Sequence, residues 1–104
     1  MSFLASCVLP VADREVNTRD LQLVSRDVGN DWKFLGRLLG CSDAVLDNLQ
    51  HDFHQDGQRE MAYQMLRHWH EECGSDAKLA KLAKALVDVK RPHIALKLQD
   101  VPRQ

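Results

Sequence analysis

Gly29, Gly40, Gly57 and Gly74 cut this chain into segments, and within each segment apolar residues recur three and four positions apart. That spacing is the period of a helix with one buried face, and no stretch shows the alternation of a half-buried strand. Leu21, Val24 and Val28 fall at i, i+3 and i+7, with Asn17 or Thr18 as N-cap and Gly29 as the stop. A second helix is expected to begin at Asn30 or Asp31 and to end before Gly40. Trp32, Leu35 and Leu39 share one side of it, and Phe34 and Leu38 widen the apolar arc past half the circumference. Such a helix is expected to be mostly buried, with a narrow exposed stripe holding Lys33 and Arg37. Ser42 suits the N-cap of a third helix, whose Val45, Leu46, Leu49 and Phe53 share a face. After a turn at Gly57, a fourth runs from Gln58 to Cys73 with Ala62, Met65, Leu66, Trp69 and Cys73 on its stripe. Ser75 is the expected cap of a fifth helix carrying Leu79, Leu82, Ala83 and Leu86. Pro92 fits the first position of a short sixth carrying Ile94 and Leu98.

The 104 residues suit one domain, and 44% hydrophobic against 28% charged residues is too apolar for wholesale disorder. Connections of two to five residues favour near-antiparallel neighbours, so the expected fold is an all-α bundle. Its expected scaffold is Trp32, Leu35, Leu39, Leu49, Trp69, Leu82 and Leu86. The expected division is an N-terminal arm over 1–16, the domain over 17–99 and a frayed tail over 100–104. Cys7, Cys41 and Cys73 cannot all pair within one chain and form no Cys-x-x-Cys motif, which points to reduced thiols. No apolar run approaches the roughly 20 residues of a membrane span. Phe3 to Ala12 is only mildly apolar, lacks a preceding base and is interrupted by Pro10. A cytoplasmic protein is therefore preferred over a secreted one.

Catalytic chemistry finds little purchase. Cys41 and Ser42 are adjacent, but no His–Asp arrangement accompanies them at a recognisable spacing, and no glycine-rich phosphate loop is present. His68 and His70, two apart, point to opposite sides of a helix and cannot share an ion; His51 and His54 could share a face beside Asp52. Neither a metal nor another cofactor is expected. A net charge of -1 disfavours nucleic acid. A small helical DNA-binding regulatory domain is the alternative reading, but its third helix would offer Asp43 and Asp47 to phosphate.

Charge is the feature that does call for a role. From Ser42 to Asp56 stand four acids (Asp43, Asp47, Asp52, Asp56) and no Lys or Arg, a local charge of -4. From Lys78 to Lys97 stand six bases (Lys78, Lys81, Lys84, Lys90, Arg91, Lys97) against Asp88 alone, a local charge of +5. Opposite charges on different parts of a small domain permit head-to-tail contacts that propagate into rings or helical arrays.

Gly29-Asn30-Asp31-Trp32-Lys33 opening the second of six helices, with Trp69 on the fourth, resembles a death domain over residues 18 to 99. Gly36-Arg37-Leu38-Leu39-Gly40 is similar to that family's second helix, although alanine usually stands at the position of Gly36. The run His51-Asp52-Phe53-His54-Gln55-Asp56-Gly57, followed by Tyr63-Gln64-Met65-Leu66 and Trp69, is most similar to the receptor-interacting-kinase and insect immune-deficiency-adaptor type, and less so to FADD. The resemblance implies a six-helix antiparallel Greek-key bundle without catalytic activity or cofactor. It implies docking to other death-domain proteins (adaptors, receptors, kinases or further copies), with neither nucleic acid nor membrane insertion, in innate-immune or death-receptor signalling. Family contacts use helices two and three, the ends of helix four with its following loop, and the corner between helices five and six. Together with the charged sets, this makes Lys33, Arg37, Asp43, Asp47, Asp52, Asp56, Arg67, Glu71, Lys78, Lys81, Lys84, Lys90 and Arg91 the candidate docking residues.

Overall fold

Asn17 opens the first helix with a reciprocal cap. Its side-chain oxygen accepts the Asp20 amide at 3.0 Å, and the Asp20 carboxylate accepts the Asn17 amide at 2.9 Å. The computed structural model describes residues 14–99. Through them run α1 (Thr18–Asp27), α2 (Trp32–Leu38), α3 (Asp43–Phe53), α4 (Gln58–Cys73), α5 (Leu79–Asp88) and α6 (Pro92–Gln99). Single 3-10 turns at Gly29–Asp31, His54–Asp56 and Gly74–Asp76 lead into α2, α4 and the connection before α5. The all-α, six-helix expectation is met. The tail over 100–104, and the expected arm up to residue 13 with Cys7, lie outside the described residues.

Local chemistry fixes several ends. Ser42 Oγ accepts the Val45 amide at 3.2 Å and so caps α3. After α2, the Cys41 amide reaches the Gly36 carbonyl at 2.9 Å and the Gly40 amide reaches Arg37 at 3.0 Å. This closure needs a left-handed residue, which Gly40 supplies at φ 101°. The same closure ends α5, where Arg91 bonds to Leu86 and Lys90 to Val87. There Lys90 holds φ 65° without glycine's freedom.

α4 is the hub. Its buried Met61, Ala62, Met65, Leu66 and Trp69 pack against α1, α2 and α3, while α5 packs on α6 and α6 returns to α1. The expected scaffold residues join this core, with Leu49 only partly buried. Gly36 determines how close α2 comes: a Cβ there would lie 2.7 Å from Leu46 Cδ2 and 3.0 Å from Met65 Cγ.

Several expectations are corrected. α2 is not mostly buried, because Phe34 and Leu38 are 49% and 41% exposed. A seven-residue helix packs through Trp32, Leu35, Gly36 and Leu39, and its neighbours cover only that side. On α3 only Leu46 is fully buried; Val45, Leu49 and Phe53 are half-buried because this helix lies at the margin of the core. On α5, Ala85 rather than Ala83 completes the buried stripe. Ser75 is no cap, since it sits inside the turn Gly74–Asp76 and α5 starts only at Leu79. Residues 14–16, part of the expected arm, are attached to the body: Val16 is buried and its amide donates to the Ala77 carbonyl at 2.9 Å.

Two substitutions test this packing by denaturant unfolding. Trp69→Ala should cost about 3–5 kcal/mol, toward the low end because the buried indole N–H has no acceptor among the described residues; a variant as stable as the parent would remove Trp69 from the core. Gly36→Ala adds up to about 1 kcal/mol of helix propensity but overpacks by about 1–3 kcal/mol. The expected net loss is about 1 kcal/mol, and a more stable variant would show that Leu46 and Met65 give way freely.

Candidate docking surface

α2 and α3 lie side by side, so their charged turns meet like rungs. Lys33 and Arg37 stand one turn apart on α2, and Asp43 and Asp47 one turn apart on α3. Lys33 Nζ lies 2.8 Å from Asp47 Oδ1 and donates also to Gln50 Oε1 at 2.8 Å. Arg37 Nε lies 2.7 Å from Asp43 Oδ1. Each helix carries a like-charge pair that is mildly unfavourable alone, and the pairing offsets both. The expectation that the acids of 42–56 face outward as one pole is therefore corrected for Asp43 and Asp47, which pair with α2. The hydrogen bond from Lys33, then its charge, and more weakly that of Arg37, hold the Asp47 carboxyl below the ordinary aspartate range.

Most other candidate charges are also partnered. Arg67 meets Glu71 at 3.1 Å on α4, and Lys84 meets Asp88 at 3.6 Å on α5. Arg91 reaches Asp31 at 3.0 Å, joining the α5–α6 corner to the turn before α2. Asp52 lies 3.4 Å from the His51 ring. Among the described residues, Asp56, Lys78, Lys81 and Lys90 stand outside every ion pair. Lys78, Lys81 and Lys84 thus make the start and middle of α5 a basic edge at three-residue spacing, with only the loose Asp88 contact to moderate it.

Sequence reasoning missed Phe34 and Leu38 as surface residues. They sit roughly 100° round α2 from Lys33 and Arg37, beside the ion-pair rungs, and form an exposed apolar pair one turn apart. The signal was available: an arc wider than half a circle cannot all be covered when a short helix packs on one side. A contiguous apolar strip with a polar border suits contact with another protein.

The remaining reactive groups gather elsewhere. Cys41 and Cys73 are half-buried free thiols lining, with His68, Trp69 and Glu72, a groove of about 260 Å³. Burial first, then the proximity of Cys73 and Glu72, pushes the Cys41 thiol up to about 11. It is consequently a protonated, weakly nucleophilic thiol at neutral pH. Among the described residues no three His, Cys, Asp or Glu side chains gather so as to hold a metal ion. No helix among them is long and apolar enough to cross a membrane.

A sequence model of the Death domain family matches residues 18–101. Tumor necrosis factor receptor type 1-associated DEATH domain proteins of Oncorhynchus mykiss and Homo sapiens are 35% identical over 94 residues and 37% identical over 82. Those matches cover 86% and 74% of this chain, but only 32% and 26% of the relatives. Receptor-interacting serine/threonine-protein kinase 1 of Homo sapiens is 36% identical over 69 residues, 65% of this chain and 10% of the kinase. The chain thus spans about a third or less of the length of these curated relatives.

The Lys33–Asp47 rung can be read by titration. Because the folded-state pKa of Asp47 is depressed, its stabilising contribution is present above the unfolded value of about 3.9 and is lost as pH falls through the lowered folded value. In a carboxyl NMR titration, Lys33→Ala should move the Asp47 midpoint upward. An unchanged midpoint would show that the rung does not persist in solution.

Proposed function

The chain belongs to the death domain family, and from that membership we propose that it serves as a cytoplasmic, non-catalytic adaptor module that docks other death-domain proteins. The assemblies it would join are those of death-receptor or innate-immune signalling. Its relatives support this, one set being tumor necrosis factor receptor type 1-associated DEATH domain proteins and the other a receptor-interacting kinase. Overlap with a tenth of the kinase carries no kinase function here. Residues 17–99 would form the docking domain.

The observation that carries the reading is the basic edge of α5. Lys81 has no ion-pair partner among the described residues, Lys84 has only a 3.6 Å contact, and both are exposed. Charges left unpaired within the domain are those free to choose a partner, and they set orientation and on-rate more than raw affinity. Phe34 and Leu38 offer an apolar anchor elsewhere on the surface. Asp52, Asp56 and Lys90 remain available as secondary contacts, while Lys33, Arg37, Asp43, Asp47, Arg67, Glu71 and Arg91 would have to exchange an internal partner for an external one. No observation favours the DNA-binding alternative, since α3 exposes Asp43, Asp47 and Asp52.

The test is Lys81→Glu with Lys84→Glu, titrated at low salt against the death domain of receptor-interacting serine/threonine-protein kinase 1. Binding should weaken by about tenfold or more, roughly 1.4 kcal/mol, and added salt should shrink the difference. The helical signal should stay unchanged. Equal affinity at low salt would remove the α5 edge from the docking surface.

A further inference from the structure

Residues 14–16 precede the stretch matched by the family, which begins at residue 18, yet Val16 is only 2% exposed. They run antiparallel to the connection before α5. The Val16 amide donates to the Ala77 carbonyl at 2.9 Å, and the Leu79 amide donates to the Arg14 carbonyl at 2.8 Å, either side of the Glu15–Lys78 bridge.

The second of these bonds matters more. Leu79 is the first residue of α5, and Lys78 at the N-cap has no side-chain oxygen to offer. Orphan amides at a helix start need an acceptor from somewhere; for Leu79 it comes from the Arg14 carbonyl, 65 residues away in sequence. Side chains anchor this short segment at two further points. The Arg14 guanidinium grips Asp20 through N–H groups at 2.8 and 3.1 Å, and that carboxylate, in a residue 1% exposed, also accepts the Asn17 amide. Glu15 Oε2 lies 2.7 Å from His70 Nε2, on the last turn of α4. Three residues thereby tie together α1, the end of α4 and the start of α5.

We propose that Arg14, Glu15 and Val16 act as a docking clamp: they are positioning residues that hold the first turn of α5 so that Lys78 and Lys81 are presented to the acidic surface of a partner death domain. This rests on the reading of the α5 edge given above. Leu82 and Leu86 keep the middle of α5 in the core whether or not the clamp is closed. Releasing it leaves the Leu79 side chain in the core but removes the acceptor of its amide, so the first turn loosens and an acidic partner must then order it as it binds.

The clamp is opened in the full chain in two ways. Arg14→Ala with Asp20→Asn removes the grip without stranding a buried carboxylate; Glu15→Gly removes the His70 contact and loosens the segment. Amide hydrogen exchange and affinity for the same kinase death domain are measured together, with Lys81→Glu as the direct comparison. In both clamp variants the Leu79 and Val16 amides should exchange about five- to tenfold faster, the scale of one backbone hydrogen bond, while the α4 amides keep their protection. Affinity should fall several-fold. Lys81→Glu should weaken binding without altering exchange. If the double variant does not fold, Glu15→Gly alone decides. Unaltered Leu79 exchange, or faster exchange with full affinity, overturns the clamp while a weakened Lys81→Glu leaves the α5 edge standing. Full affinity in Lys81→Glu removes the edge and the clamp's role with it.

Discussion

The close approach permitted by Gly36 governs the charge arrangement of one whole side of the domain. With no Cβ, α2 settles against Leu46 of α3 and Met65 of α4 at distances that a methyl group would not tolerate. That closeness lets Lys33 and Arg37 reach Asp47 and Asp43. Gly40 then turns the chain sharply enough for α3 to run back beside α2. Packing comes first in this order of causes. Exposed rungs of this type contribute too little to pull the helices together alone.

The functional consequence lies in the field the domain projects. A paired Lys–Asp rung is nearly neutral at a distance, and exposed charges fade over a screening length of about 8–10 Å at ordinary salt. The paired part of the α2–α3 face, Lys33 and Arg37 with Asp47 and Asp43, therefore steers little. The α5 edge keeps its sign because, among the described residues, its one ion pair is Lys84 with Asp88, at 3.6 Å. Segment sums of -4 and +5 overstated the first pole and were right about the sign of the second.

Legibility in the sequence followed the range of the interaction. The starts of α1, α3, α4 and α6 were readable because Asn17, Ser42, Gly57 and Pro92 act within one turn of where they stand. The start of α5 was misread at Ser75, because its amide acceptor comes from Arg14 at the other end of the domain. Residues 14–16 are too few to show a period, so Val16 gave no sign of burial. The rungs escaped for the same reason: Lys33 and Asp47 are 14 residues apart on different helices. Phe34 and Leu38 widen the apolar arc of α2 yet stay exposed, because the stripe rule says which residues are apolar, not how many sides of a helix its neighbours cover. The end of α5 had no glycine to announce it, and Lys90 adopts the left-handed turn regardless.

Steering thereby falls to α5, while apolar anchors are spread over several elements. Long-range attraction originates on α5, where Lys81 has no ion-pair partner among the described residues, whereas exposed apolar side chains stand on α2 (Phe34, Leu38), on α5 itself (Val87) and on α6 (Leu96). A basic edge repels its own copy, so contacts made through it are heterologous rather than a closed two-fold pair, and heterologous contacts extend into rings or filaments. The basic edge of α5 is thus itself a physical reason for a domain of this kind to build assemblies larger than a dimer.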